Sequence, residues 1–528
     1  MIANLRASFR VLGALPQALG FVFLLSILSS CSKDARHEQS EQLGRESSLT
    51  TMRMDGVFDD WSDVEAAFDD SGDAPDAELD IGTLQMQSDS QFVHLSIGLN
   101  RELNVQRLDG TLELLMDGDA NAKTGQPVHG FPGVDLIVRF SPENPERPED
   151  DNMGVSVAST TYDPSESSAS IHHSAIGFLA APTYASDRIE CRFNRDSSLP
   201  ETPPLFRGDS VSFKLVLIDA DRSVSDETEN VSHSLPTIAS PKKSRARAEH
   251  LPPKADGSFR LMCWNVLNGS ILEKPDLYSK ILVALAPDII LFEELGEGSA
   301  PALERFFVDR LSPDNGAWQI LFGRAGGASR CAIASRFPIE SVPSLEWIPY
   351  PERLDRAVKT LGGVVAVGGR RVFVAPIHLK CCGRVDSWED ERRLAEVGLI
   401  NGAIADAMAS ASFDAVVIGG DLNLVGGRRP ITVLGAKLDL DQSDLSILDA
   451  YHLRGDENTT WASNRERFIP GRLDFLQYSD SVITAANAFV FDTADLSGSW
   501  LASRSLSEAS SMAASDHLPV VADFVWRD

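Results

Sequence analysis

The chain is short of three things: paired cysteines, clustered cations, and long apolar runs beyond its first residues. Six cysteines occur in 528 residues, none in Cys-x-x-Cys spacing, so a zinc site of thiolates is not indicated. Lys and Arg number 48 against 77 Asp and Glu, a net charge of -29. Tight electrostatic binding of nucleic acid needs grouped cations to displace the counterions of phosphates, which excludes a dedicated DNA-binding protein. The deficit is uneven: residues 1–257 hold 22 basic against 41 acidic residues, a net -19, and residues 258–528 hold 26 against 36, a net -10. An acidic chain can still handle anionic substrates where a bound divalent cation supplies the positive charge. After residue 27 no apolar stretch is long enough to cross a bilayer.

What is present at the start is an export pattern. Arg6 and Arg10 precede a mostly apolar run from Val11 to Ile27, interrupted by Pro16, which suits a cleaved signal better than a lasting span. Leu28-Ser29-Ser30-Cys31 follows where that run ends and resembles the lipobox of bacterial lipoproteins. The resemblance implies cleavage before Cys31, its acylation, and an exported chain anchored by lipid to the cell envelope, at the outer membrane or its periplasmic face. Removing Cys31 leaves Cys191, Cys263, Cys331, Cys381 and Cys382, an odd number. Cys263 lies in an apolar strand pattern and reads as core. Cys381 and Cys382 are either a strained vicinal disulfide or two thiols beside a loop.

The length predicts more than one core. Residues 1–31 read as signal and 32–50, rich in Ser, Glu, Arg and Gln, as a disordered spacer. Over 51–235 short alternating stretches such as Phe92 to Ile97, Leu112 to Met116, Asp135 to Phe140 and Val211 to Leu217 predict an all-β sandwich. Its opening Asp55-Gly56-Val57-Phe58-Asp59-Asp60-Trp61 and the segment Met116 to Gly125 resemble family 9 carbohydrate-binding modules, which implies a glycan as a partner. Trp61 is either an exposed sugar platform or core. Asp117, Asp119 and Asn121 alternate so that they can offer oxygens to Ca2+, although the Gly and distant Glu of an EF-hand loop are missing; an Asx-rich turn accounts for the same residues. Residues 236–257 read as a linker whose Lys242, Lys243, Arg245 and Arg247 are either solvated or in contact with anionic lipid.

From 258 to 528 the pattern changes to buried strands (Phe259 to Val266, Ile289 to Phe292, Val372 to Ile377, Ala415 to Ile418) alternating with helical periodicity over Leu277 to Ala286 and Glu391 to Met408, which means layered packing of sheet and helix. Apolar runs stop in polar residues at Trp264-Asn265-Val266-Leu267-Asn268, Phe292-Glu293-Glu294, Ile377-His378-Leu379, Gly420-Asp421-Leu422-Asn423, Arg472-Leu473-Asp474 and Ser515-Asp516-His517. Such strand ends are where a site on a sheet scaffold is built.

In this order the six blocks resemble the endonuclease/exonuclease/phosphatase superfamily, which includes deoxyribonuclease I-like nucleases, sphingomyelinases and inositol polyphosphate phosphatases. The resemblance implies a four-layer α/β (α+β) sandwich of two sheets flanked by helices, and hydrolysis of a phosphate ester by metal-assisted attack of water. It implies Glu294 as main ligand of Mg2+ (or Mn2+), with Asn265 and Asp516 beside it, and Glu293 one residue out of register. Asp421 positions or deprotonates the water, Asn423 binds metal or phosphate, His517 contacts phosphate or moves a proton, and Asp474 holds the His517 imidazole. His378 is a candidate general acid. Asn268, Arg356 and Lys380 are candidate phosphate contacts. The run from His378 to Gly383 followed by Arg392 and Arg393 has no role derivable from sequence.

Three functions fit: a lipid-anchored phosphodiesterase or nuclease of the envelope, a sphingomyelinase-type or inositol-phosphate phosphoesterase, and a glycan-binding lipoprotein with a silent hydrolase domain. The substrate is accordingly nucleic acid, phospholipid or a small phosphodiester. Export and His378, where the abasic-site branch usually has Tyr, both point away from DNA repair. Oligomeric state is not encoded in any visible pattern.

Overall fold

The computed structural model describes residues 52–527 except 71–78, 145–151, 161–168, 198–203, 237–246, 297–299 and 312–316. The export signal, Cys31, the 32–50 spacer and most of the linker lie outside the described residues. Residues 52–528 form one compact unit.

Alternating apolar residues build the sandwich. A five-stranded antiparallel sheet runs in the order Ala66–Asp69, Ile81–Ser88, Phe92–Leu103, Ser186–Asn194, Leu179–Ala181. It faces a second sheet ordered Val224–Glu227, Ser210–Ile218, Thr111–Asp117, Leu136–Phe140, Val155–Ser159, Ala169–Ile171. Leu84, Leu95, Ile97, Leu114, Val138, Phe193 and Phe213 fill the space between them. The inner strands bury a face against the other sheet, as stacked sheets do, while the edge strands Ala66–Asp69, Val224–Glu227 and Ala169–Ile171 stay largely exposed. Trp61 is 1% exposed and donates through Nε1 to Glu190 Oε2 at 3.1 Å. It is core and offers no platform to a sugar. The Asp117 loop is an Asx turn: Asp117 Oδ1 accepts from the Asp119 and Asn121 amides, and Arg207 already pairs with Asp119 and Asp135.

The second half is a four-layer sandwich of helix, sheet, sheet and helix. One seven-stranded sheet is ordered Gln319–Phe322, Ala332–Ser335, Ile289–Glu293, Phe259–Asn265, Val520–Trp526, Ile483–Val490, Tyr451–His452; a six-stranded sheet is ordered Ile339–Ser341, Gly363–Val367, Arg370–Pro376, Ala415–Asp421, Asp474–Tyr478, Ser446–Ile447. Leu261, Leu291, Val374, Val417 and Val520 fill the layer between the sheets. Helices Pro275–Leu285 and Ala300–Leu311 cover one outer face. The helix Trp388–Ser410 covers the other through Val397, Ile400, Ile404 and Ala407. Ser387 caps it by accepting from the Asp390 amide, and Glu389, Asp390 and Glu391 in its first turn complement the helix dipole.

The two halves are interlocked. Ile469, from the second half, is 2% exposed within the sandwich core. Arg192 of the sandwich, 1% exposed, pairs with Asp456 and Glu457, and Ala185 N donates to Gly426 O at 2.7 Å. The described end of the linker is also packed: Ala248 N donates to Asp495 O at 2.8 Å and Ala248 bridges Leu496. Backbone pairing holds this stretch, so its low apolar content read as a free linker.

The strand Tyr451–His452, next to the Asp456 and Glu457 contacts between the halves, carries a buried histidine. His452 Nδ1 lies 3.0 Å from Asp495 Oδ2, and Nε2 lies 2.8 Å from the Thr459 carbonyl. Both partners are acceptors, so both ring nitrogens donate and the ring is cationic. Burial opposes that charge, and Asp495 and Glu457 outweigh it, raising the pKa to about 9. Because the folded value exceeds the ordinary 6.5, this stabilisation is complete below pH 6.5 and is lost as pH rises through about 9. It is worth on the order of 3 kcal/mol. Unfolding midpoints across pH 6 to 10 should fall more steeply in the wild type than in His452→Gln, and parallel curves would show that the ring is neutral.

Candidate active site

Two parallel strand pairs, one in each sheet, end at the same rim. Phe259–Asn265 runs parallel to Ile289–Glu293 with Asn265 opposite Glu293, and Arg370–Pro376 runs parallel to Ala415–Asp421, which in turn sets Asp421 opposite Asp474. Just past these ends several non-glycine residues take positive φ: Leu267 (44°), Asn268 (53°), Glu294 (56°) and Asn423 (49°). Backbone strain of this kind redirects side chains and gathers at functional sites. The turn at Glu294 sends the neighbouring carboxyls in different directions. Glu293 is fully buried with no hydrogen-bond partner for either oxygen, whereas Glu294 turns out into the cleft and its Oε2 accepts from the Asn268 amide at 3.2 Å. Gly420 is required beside it, because a Cβ there collides with the Glu293 carboxyl and the Ile377 carbonyl.

Asp421 is the hub. Its Oδ2 accepts from Asn265 Nδ2 at 3.0 Å and lies 3.6 Å from His378 Nε2 and 3.8 Å from His517 Nε2. Its Oδ1 accepts from the Asn423 amide at 3.0 Å. Asn423 leaves the extended path that would have put it on one side with Asp421, and its positive φ still brings it into the cleft. His517 Nδ1 lies 2.8 Å from Asp474 Oδ2, the contact that fixes a histidine's tautomer. Burial works against charge on His517, and Asp474 and Asp421 overcome it, lifting the pKa to about 10. Burial pushes the Asp421 carboxyl up to about 7. His378 sits 3.6 Å from both Glu294 and Asp421, yet burial first, then Lys359 and His517, hold it well below its ordinary value. Those separations exceed a hydrogen bond, so burial decides and the ring is neutral.

The ligand atoms of Glu294, His378 and Asp421 lie within 4.8 Å of one another. Asp516 adds a carboxylate whose Oδ2 accepts from Trp461 Nε1 at 3.2 Å while its Oδ1 is buried without a partner. Two carboxylates and a neutral imidazole, with an unpartnered carboxylate oxygen close by, are a donor set that fits a divalent cation. Asn265 is engaged twice, its Nδ2 to Asp421 and its Oδ1 to the Leu267 amide at 3.0 Å.

The cleft around these groups has a volume of about 420 Å3 and is lined by Glu294, His378, Asp421, Asn423, Asp516 and His517 together. Two of the candidate phosphate contacts are not among the residues lining the cleft. Arg356 is exposed on the strand Arg353–Ala357 and Asn268 is exposed at its turn; neither lines the cleft. The cations that do line it are Lys380, Lys359 and Arg107. Lys359 gave no signal in sequence because it sits in a bend after the exposed strand Arg353–Ala357 and not where a buried apolar run stops. The segment after His378 is held by the helix beneath it: buried Arg393 donates to the carbonyls of Lys380 (2.9 Å) and Cys382 (2.7 Å), and Glu396 accepts the Lys380 amide at 2.8 Å. Arg392 stacks on Tyr350, 3.4 Å from the ring centre. Those residues are therefore a clamp on the cleft loop.

The layered fold and a rim of carboxylates and histidines define a hydrolase acting on phosphoric ester bonds. Residues 262–517 match the model of the Endonuclease/Exonuclease/phosphatase family, and this part of the chain is a domain of that family. Similar solved structures include a humanized D. rerio TDP2 (14% identity over 51% of this chain and 99% of that one, TM-score 0.35). The human Nocturnin catalytic domain with bound sulfate anion is similar at 18% identity (52% and 97%, TM-score 0.35). So is the 3' phosphatase NExo from Neisseria bound to a product DNA hairpin, at 18% identity (51% and 100%, TM-score 0.35). No curated protein matches the chain in sequence.

Proposed function

We propose that the protein is an exported, lipid-anchored, metal-dependent phosphoesterase that cleaves phosphodiester bonds by attack of water. The observation that supports it best is the convergence of Glu294, His378, Asp421 and His517 on one cleft. Glu294, His378 and Asp421, with Asp516 and Asn265 beside them, are the residues that would hold Mg2+ or Mn2+. A bound divalent cation neutralises charge on phosphoryl oxygens and makes water a better nucleophile. Asp421 orients the attacking water and takes its proton. His517, steered by Asp474, protonates the leaving oxygen, and Lys359 faces the phosphoryl oxygens. Asn423 fixes the far side of the phosphate. Cys31 carries the anchor, and a Cys31→Ser chain recovered in the aqueous phase of a detergent partition, with the wild type in the detergent phase, is the expected outcome.

Turnover of bis-p-nitrophenyl phosphate should disappear on treatment with EDTA and return with Mg2+ or Mn2+. Glu294→Ala should weaken Mn2+ binding, followed by calorimetry, at least about tenfold. Full activity in EDTA would remove the metal from the reading. No turnover with either metal would instead favour a binding protein with a silent hydrolase domain.

A further inference from the structure

The cleft has a wall that the phosphoesterase domain does not supply. Asn104, Gln106, Arg107 and Thr183, all from the sandwich, line it together with the carboxylates. After the strand Phe92–Leu103, Asn104 starts a short turn by accepting from the Gln106 amide at 2.9 Å. Its Nδ2 then donates to the carbonyls of Thr183 (3.0 Å) and Val425 (2.8 Å), and Val425 lies two residues beyond Asn423. Gln106 Oε1 accepts from the Ile469 amide at 3.0 Å. Five residues further on than Asn104, Asp109 pairs with Arg384, in the loop that carries Lys380, Cys381 and Cys382. The strap 104–109 is thus tied to three separate loops of the catalytic half. Its inward side chain, Arg107, lies 4.7 Å from the ring centre of Phe468, and both line the cavity.

We propose that this strap makes the sandwich the substrate-selecting wall of the cleft, admitting small or chain-terminal phosphate esters, with Arg107 and Phe468 as the platform for the group esterified to the phosphate. The inference rests on the phosphoesterase reading above and narrows its substrate. A cavity of about 420 Å3 is of the size that encloses a small ligand. An internal bond of a duplex needs an open groove along which backbone continues on both sides, with cations to meet successive phosphates. The strap is bonded to the Asn423 loop at one end and to the Lys380 loop at the other and so walls that side of the cleft. A guanidinium backed by an aromatic ring holds a flat or anionic group in place, which the ammonium of Lys does less well.

The test uses the full chain with Mn2+ and two probes, bis-p-nitrophenyl phosphate and covalently closed circular DNA, which has no ends. The wild type should hydrolyse the small diester and leave the circle closed. Arg107→Ala should raise KM for the small diester about tenfold with kcat changed less than about threefold, Arg107→Lys should recover part of that, and Arg107→Glu should be worse than Arg107→Ala. Arg107 is only half-buried, and thermal unfolding of the three variants verifies that each is folded. Nicking of the circle at a rate near that of the small diester, or an unchanged KM in Arg107→Ala and Arg107→Glu, overturns the wall while leaving the phosphoesterase standing. Cleavage of neither probe overturns the phosphoesterase, and the wall with it.

Discussion

His517→Ala should lower kcat for bis-p-nitrophenyl phosphate by about 10³ with KM changed little, because a positioned proton donor or acceptor contributes about 10²–10⁴. The imidazole is built for that task by its surroundings. Asp474 Oδ2 lies 2.8 Å from Nδ1, so one tautomer is fixed and Nε2 is left to face Asp421 at 3.8 Å. The backbone on which the ring stands is itself held: Ser515 Oγ donates to Asn265 O at 2.7 Å, and Trp264 Nε1 donates to the His517 carbonyl at 3.0 Å. Asp474→Asn removes the steering charge and keeps the shape. It should cost about 10², less than loss of the ring, with near-native far-ultraviolet circular dichroism. Wild-type turnover in folded His517→Ala would sink the assignment of proton transfer to this residue.

The site was legible in sequence to the degree that it sits on regular structure. Asn265, Glu294 and Asp421 stand at or just past the end of a buried strand, where an apolar run that stops in a polar residue is visible in one dimension, and Asp474 and His517 stand at or shortly before the start of one. Two of the strands run past their predicted ends, Ile289–Glu293 by one residue and Ala415–Asp421 by three; the latter continues through Gly419 and Gly420, because glycine carries no side chain to signal burial and Glu293 fills the space instead. What could not be seen was contact across sequence distance. Arg107 and Phe468 are neighbours because the 454–471 loop reaches into the sandwich, and Asn104 and Val425 because the loop after Asp421 meets it, and neither residue type nor spacing announces that. The packed linker was hidden for a related reason, since it is held by backbone hydrogen bonds rather than by an apolar face. Trp61 had two readings at a strand start, and its burial on Glu190 resolved them.

This interlock changes what the sandwich is for. A separate sugar module needs its own exposed aromatic surface and a flexible tether. Here Trp61 is enclosed, Ile469 fills the sandwich core, and Arg192 is buried against Asp456 and Glu457. Among the described residues, the connection between the halves is a set of buried ion pairs and shared core, which holds the strap 104–109 at a fixed distance from Asp421. Rigid placement of a wall is what substrate selection by shape requires.

Asp421→Asn should have the larger effect of the two, about 10⁴ in kcat. No other carboxylate of the cleft touches as many of the residues assigned to the reaction. Asn265 and the Asn423 amide each reach it at 3.0 Å, and His378 and His517 stand at 3.6 and 3.8 Å. Asparagine keeps the volume and can accept from Asn423, but it cannot take a proton from water, and its amide nitrogen presents donors where Asn265 already donates and two imidazoles stand close by. The substitution therefore removes a base and leaves donors facing donors in a buried place, each costing about 1–3 kcal/mol when unsatisfied. Residues that act on one proton-transfer path are not additive. Adding His517→Ala to Asp421→Asn should thus lower kcat by less than about tenfold further, although His517→Ala alone costs about 10³. A double variant slowed by the full product of the two single losses would mean that the residues act on separate steps, and the shared path from water to leaving oxygen through this hub would have to be abandoned.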